Sequence, residues 1–328
     1  MNFSCLYGHE TVKLRLGLAI TQDKISNAYV FEGICGVGKR LCARIFAKGL
    51  VCENENPPCG KCSMCIQANA KTLPDIITVE KDSDKTQIGV DNVREQVISE
   101  VYLKPHSAKR KIFIIEQGDL LSLEAQNALL KVLEEPPEYV TFIICVTSKE
   151  KLLPTVLSRS QTVSFFPLPD ETVEKYIKEN ENSDVDAKII AKLSRGSIGT
   201  AKELIADDTK LTRIKKSIQC ILNLQKNAIS VREMTTFLTE EKENITEILD
   251  FSLAFLRDCV LLKTDLLENI IFSDRVSDMK VFTQNLSKKE LLRAFDILSE
   301  LKISLDQNLN FNATVNNAVV RIWEELHD

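Results

Sequence analysis

Short, nearly continuous apolar runs alternate with helically spaced apolar residues over the first half of the chain, and helical spacing alone fills the second half. The runs at residues 28–31, 76–79, 111–115, 141–146 and 161–165 are candidate strands. Each is too short for a helix, and amphipathic segments lie between them, so they predict a parallel sheet covered by helices. A helical run at 41–50 follows the first of them. After the fifth, Phe166-Pro167-Leu168-Pro169-Asp170 predicts a joint. Two prolines interrupt any continuing element there, and Asp170 is placed to cap a helix beginning at Glu171. A small helical module then runs to about Asp208.

The remainder carries no breakers. All nine prolines lie at or before Pro169, and the last glycine is Gly199. At ordinary usage, residues 200–328 would hold roughly fifteen of the two together; they hold none. This stretch is expected to be all helix with short polar joints. Ile245, Ile248, Leu249, Leu253, Leu256 and Val260 mark one apolar stripe, and Leu291, Leu292, Phe295, Leu298 and Leu301 another; both read as helical core. The expected division is 1–167, 168–208 and 209–328, an α/β domain followed by all-α parts.

Composition changes this picture little. The 328 residues are 44% hydrophobic and 27% charged, which suits a soluble globular chain of two or three domains. No apolar run reaches the length of a membrane span, and the amino terminus lacks the basic and apolar segments of a signal peptide, so a cytoplasmic protein is expected. Residues 1–167 carry 20 basic and 19 acidic side chains, net +1; residues 168–328 carry 22 and 28, net −6. Neither part binds polyanions by net charge alone. The basic cluster Lys104, Lys109, Arg110 and Lys111 reads as a solvated approach to the third strand rather than a DNA contact.

Two motifs bring chemistry. Gly33-Ile34-Cys35-Gly36-Val37-Gly38-Lys39 follows the first strand and precedes a helix, the context of a phosphate-binding loop. Its glycines let successive N–H groups face phosphates, and Lys39 reaches the outer ones. The hydroxyl residue that holds magnesium is replaced by Arg40. At the end of the third strand, Glu116 could still meet a metal through water, but Gln117 cannot serve as a general base, because an amide takes up no proton near neutral pH. Nucleotide binding by Gly33, Gly36, Gly38, Lys39, Arg40 and Glu116 stays open; efficient hydrolysis is disfavoured. The second motif is Cys52, Cys59, Cys62 and Cys65. Four thiolates at this spacing, with turn chemistry from Pro57-Pro58 and Gly60, suit a closed tetrahedral Zn²⁺ knuckle with a structural role. The other six cysteines are scattered.

Residues 122–137, containing Asn127-Ala128-Leu129-Leu130-Lys131-Val132-Leu133-Glu134-Glu135-Pro136-Pro137, resemble the signature of bacterial DNA polymerase III clamp-loader subunits, members of the AAA+ class. Tyr7-Gly8-His9-Glu10, Asn27-Ala28-Tyr29-Val30-Phe31, the altered phosphate loop and the four cysteines fall in the family's order. Leu157-Ser158-Arg159-Ser160 is similar to its Ser-Arg-Cys motif, with the cysteine replaced. These motifs cover about residues 7–200, and the tail matches in length and helical character.

The resemblance implies an AAA+ P-loop domain with an inserted zinc knuckle, a helical lid and a helical collar for oligomerisation. It implies that Arg159 reaches in trans into a neighbour's ATP site, where a guanidinium spreads the charge of the transferring phosphate. It places Thr147 at the position that senses the γ-phosphate. Gly196-Ser197-Ile198-Gly199-Thr200 lacks the arginine that motor subunits carry there. Losing the magnesium hydroxyl, the base and this arginine resembles the delta-prime branch rather than the gamma/tau motor branch. The implied partners are gamma/tau and delta subunits in a five-subunit ring, with the sliding clamp and primed DNA reached through the complex. A divergent gamma/tau-type ATPase and a zinc-stabilised nucleotide-binding module outside replication are the alternatives.

Overall fold

The computed structural model describes residues 3, 5–181, 187–264, 270–305 and 310–327. Met1–Glu181 with Ser194–Thr200 form one compact unit, and Asn182–Leu193 with Ala201–Asp328 form a second.

The first unit is built on five parallel strands, β1 (Ala28–Glu32), β2 (Ile76–Thr78), β3 (Lys111–Ile115), β4 (Val140–Val146) and β5 (Gln161–Ser164), in the spatial order β2-β3-β4-β1-β5. All five expected strands form. The interior strands are buried on both faces, and β3 and β4 are buried at every residue. This is why they read as continuous apolar runs rather than alternating ones.

Alternation survives in which layer each residue meets. Tyr29, Phe31, Ile112, Ile114, Ile143 and Cys145 pack with Leu16 of α1 (Glu10–Thr21) and with Cys42, Ala43 and Phe46 of α2 (Lys39–Val51). Ala28, Val30, Phe113, Ile115, Phe142 and Ile144 pack on the other face with Val93, Val97, Ala125, Leu129 and Val132. The expected α/β layering is therefore present. Register pairs Phe31 with Cys145 and Val163, which aligns the carboxyl ends of β1, β4 and β5 along one edge. The chain leaves β1 for β2 at the far edge and returns through β3 and β4, so the order reverses beside β1. Crevices for ligands form at such a place.

Two local expectations need correction. Asp170 is the first residue of the helix Asp170–Asn180, Pro169 is its N-cap, and no side chain caps it. The extended backbone of Pro169 already ends the preceding segment, so Asp170 contributes only its charge at the positive end of the helix. The basic cluster is not uniformly solvated. Lys111 is buried at the start of β3, and its Nζ donates to the Glu100 carbonyl at 2.9 Å and carboxylate at 3.1 Å. Asp75 is also buried and accepts the backbone N–H groups of His106, Ser107 and Ala108 at 2.6, 2.7 and 2.7 Å.

The second unit is helical. Its principal helices are Asp208–Asn223, Ile229–Glu240, Ile245–Leu262, Val276–Thr283, Lys288–Ser304 and Phe311–Glu325. Side-chain caps replace the missing glycines and prolines at three starts: Asp207 accepts from Thr209 N, Asn310 from Ala313 N, and Ser287 with Glu290 forms a reciprocal capping box. Of the two stripes expected from sequence, Ile245, Ile248, Leu249 and Leu256 are buried as expected, whereas the second is partly rotated. In Lys288–Ser304 the buried residues are Leu291, Ala294, Ile297, Leu298 and Leu301, whereas Leu292 is exposed. Ala294 lets a neighbouring helix approach more closely than Phe295 would. Ile245–Leu262 is buried around most of its circumference. Its Asp258 is wholly buried and accepts Ile271 N and Phe272 N at 2.7 and 2.9 Å. Among the described residues, no helix is long and apolar enough to cross a membrane.

Burial alone would raise the Asp75 carboxyl, but the three N–H donors and Lys111 outweigh it and hold the group below its ordinary value. A depressed carboxylate stabilises the fold above the unfolded-state value near 4, and that contribution is lost as pH falls toward the folded-state value. Asp75→Ala is expected to cost about 3 kcal/mol at neutral pH by leaving buried donors unpaired. In urea titrations from pH 7 to 3, Asp75→Asn should show a shallower loss of stability than the parent chain.

Candidate functional site

The crevice beside β1 is built from three strand ends. The glycine loop leaves β1 and enters α2 at Lys39, Glu116 follows β3, and Thr147 follows β4. Gly36 and Gly38 have φ of 72° and 113°, a region that side chains resist. The loop is braced from outside. The Gly199 N–H donates to the Gly36 carbonyl at 2.9 Å, and Ser197 Oγ donates to the Cys35 carbonyl at 2.9 Å. His9 Nε2–H donates to the Val37 carbonyl at 2.9 Å, and burial keeps this imidazole below its usual pKa, hence neutral at pH 7. These bonds all take carbonyls, leaving the loop's N–H groups uncommitted to these three partners.

Lys39 is 7% exposed, and its Nζ donates to the carbonyls of Gly33 at 2.5 Å and Ile34 at 2.8 Å. Burial lowers its pKa. The expected glycines, Lys39, Arg40, Glu116 and Thr147 do converge on this edge, but the last two are committed elsewhere. Glu116 receives both Nε and Nη2 of Arg44, at 2.6 and 3.0 Å, and Arg40 Nε donates to the Glu116 carbonyl at 3.2 Å. Thr147 donates through N and Oγ1 to Asp119, at 2.9 and 2.8 Å. Gln117 is exposed and takes no part.

Sequence reasoning missed Arg44, Asp119 and Ser197. Arg44 lies one helical turn beyond Arg40, a spacing that places two guanidinium groups on one face of α2 and could have been noticed. Asp119 and Ser197 carried no such signal, because long-range packing brings them here.

Arg159 follows the short helix Pro154–Leu157. Its Nη2 lies 2.9 Å from Glu134 Oε1, and its Nη1 donates to the Thr155 carbonyl at 3.0 Å and Ser158 Oγ at 3.3 Å. Glu134 ends the helix Leu123–Glu134, just before Glu135-Pro136-Pro137.

The four cysteines gather between α2 and the helix Ser63–Asn69, which is α3. Every pair of sulfurs lies within 4.8 Å. Cys52 and Cys62 are 4.0 Å apart, and Cys59 and Cys65 are 3.9 Å apart. Tetrahedral ligation at about 2.3 Å per sulfur requires about 3.8 Å between sulfurs, so the donor set fits a metal with little movement. Backbone N–H groups of Lys61 and Cys62 pull the Cys59 thiol down to about 6, whereas burial pushes Cys65 up to about 12. Amide donors on sulfur favour thiolate, the form that binds metal.

Residues 8–169 match the family described as DNA polymerase III, delta subunit, and residues 209–315 match DNA polymerase III, delta subunit, C terminal. The chain belongs to this family of clamp-loader subunits, and its parallel sheet carries a glycine loop after β1, as expected from the sequence motifs. It is 27% identical to DNA polymerase III subunit gamma/tau of Mycoplasma genitalium and 27% identical to subunit tau of Bacillus subtilis, over 99% of its own length in each case. It spans only 54% and 62% of those two relatives. It is 26% identical to the delta' subunit of Bacillus subtilis, covering 93% of both chains.

A methyl group on Gly36 would lie 2.4 Å from Ser197 Oγ and 2.9 Å from Gly199 Cα, at a φ that alanine resists. Gly36→Ala is expected to destabilise the first unit by about 3 kcal/mol in chemical denaturation, whereas the same change at open Gly60 should cost about 1 kcal/mol, from its positive φ alone.

Proposed function

We propose that this chain is a delta-prime-like, non-motor subunit of a bacterial DNA polymerase III clamp loader, working in the cytoplasm. In this reading it joins gamma/tau and delta subunits in a five-subunit ring that places the sliding clamp on primed DNA. It hydrolyses little or no ATP itself and presents Arg159 to a neighbour's nucleotide. The P-loop domain ends near residue 167, a lid runs to 208, and residues 209–328 form the collar that joins the ring. Zn²⁺ held by Cys52, Cys59, Cys62 and Cys65 is a structural support in the P-loop domain.

The observation that carries the reading is the occupation of the metal side of the crevice by guanidinium groups. Arg40 stands where a magnesium-binding hydroxyl is needed, and Arg44 takes both Glu116 oxygens. A cation placed there would meet positive charge rather than free carboxylate. Similarity over 93% of both chains to a delta' subunit supports the same reading. The retained glycines and Lys39, with the gamma/tau relatives, favour the second reading, a divergent gamma/tau-type ATPase. Magnesium-dependent hydrolysis by the purified chain alone would select it.

In a ring reconstituted from the motor, delta and present chains, Arg159→Ala is expected to lower DNA-stimulated ATP hydrolysis at least ~10-fold at the site it serves, with assembly by size-exclusion chromatography unchanged. Unchanged turnover would remove the arginine assignment. Elemental analysis is expected to find one zinc per chain, and Cys62→Ser is expected to lose it together with several degrees of Tm.

A further inference from the structure

Glu134 lies in the leucine-rich segment that ends in two prolines, and nothing so far gives it a task. The carboxylate stands at the end of a helix whose start is fixed by Ser122, which caps Ala125 N at 3.1 Å, and whose body is fixed by buried Ala125, Leu129, Val132 and Leu133. The helix stops there because Glu135 has left helical geometry and prolines follow. Glu134 is therefore an exposed carboxylate on a well-anchored mount. Its partner Arg159 sits on a second mount, because the short helix before it begins with Pro154 and buries Val156.

We propose that Glu134 is a positioning residue for Arg159, orienting the guanidinium toward a phosphate of a neighbouring subunit. This inference rests on the reading of Arg159 as an arginine donated in trans. Three acceptors from two elements hold the group: Glu134 Oε1, the Thr155 carbonyl and Ser158 Oγ. Nη1 donates to the Thr155 carbonyl and Ser158 Oγ, and Nη2 forms an ion pair with Glu134. Nε–H has no hydrogen-bond partner among the described residues. That free N–H, with Nη2 beside it, is what a phosphate needs from a guanidinium. An arginine free in solvent samples many rotamers and must lose them on engagement; one held at three points has already lost most of that freedom. The pair is also well chosen to act without locking. The side chains of Arg159 and Glu134 are 35% and 52% exposed, so solvent screens their attraction and the guanidinium can shift toward a more highly charged phosphate.

The contact that matters is the 2.9 Å approach of Nη2 to Oε1, whose charge solvent screens, so an amide oxygen at the same place should preserve most of the effect. The experiment is DNA-stimulated ATP turnover by the complete reconstituted ring, with this subunit intact or carrying Glu134→Ala, Glu134→Gln, Arg159→Ala, or Glu134→Ala with Arg159→Ala. Glu134→Ala is expected to lower kcat about threefold to tenfold with KM for ATP nearly unchanged, Glu134→Gln to restore at least half of the parent turnover, and the double variant to equal Arg159→Ala alone. Those outcomes together establish positioning, because a merely structural loss would add to the Arg159 loss and would not be rescued by glutamine. If Arg159→Ala slows turnover and Glu134→Ala leaves it unchanged or faster, the positioning role is overturned while the trans-arginine reading stands. If Arg159→Ala has no effect, the trans-arginine reading fails first, and the inference falls with it.

Discussion

The glycine-loop edge of this protein depends on the close approach of two glycine backbones. Gly199 donates to the Gly36 carbonyl, and a methyl group on either residue would collide with the other strand of chain. This contact needs a loop that turns through left-handed backbone, a second turn at Ser194–Thr200 that presents its own N–H, and a sheet that brings both to one edge. The parallel register supplies the last condition. With β1 between β4 and β5, the glycine loop, Thr147 and the chain after β5 all emerge on the same side. The helix dipole of α2 and the lysine at its start then act where the strands end.

A loop of this shape is suited to phosphate, yet its surroundings have been rearranged around side chains of the same sign as a metal ion. Arg40 and Arg44 project from the first turns of α2 toward Glu116, and Asp119 is taken up by Thr147. The result is a crevice in which the basic groups Lys39, Arg40 and Arg44 outnumber the acidic Glu116 and Asp119. Cations are attracted to uncompensated carboxylates, and here each acidic group at the edge already has a hydrogen-bonded partner. The same economy appears at the base of the sheet, where Asp75 fills a turn of backbone N–H groups that would otherwise attract an external anion.

Much of this was legible in the sequence because the relevant signals are local. Continuous apolar runs marked the strands, the absence of glycine and proline marked the helical unit, and four cysteines at short spacing marked the sulfur cluster. The stripes in the second unit were harder. Leu292 and Phe295 looked like core, but Ala294 and Ile297 are buried instead, because the face a helix hides depends on the residue sizes its neighbours tolerate. The site was legible in its backbone and illegible in its pairings. Gly36, Lys39 and Arg40 declared themselves by order, whereas the partnership of Arg44 with Glu116 spans 72 residues and that of Thr147 with Asp119 spans 28. Asp170 shows a smaller failure of the same kind, since choosing between adjacent residues as a cap requires dihedral angles that composition does not carry.

The helix α2 has one further consequence. It begins in the glycine loop and ends immediately before Cys52, so thirteen residues form a single rod about 20 Å long between that loop and the sulfur cluster. A helix resists compression, and this one is clamped by buried residues along most of its length. The two ends cannot relax independently. Tightening the cluster is a longitudinal constraint on the lysine at the opposite end, and the distance between them is fixed by arithmetic rather than by contact.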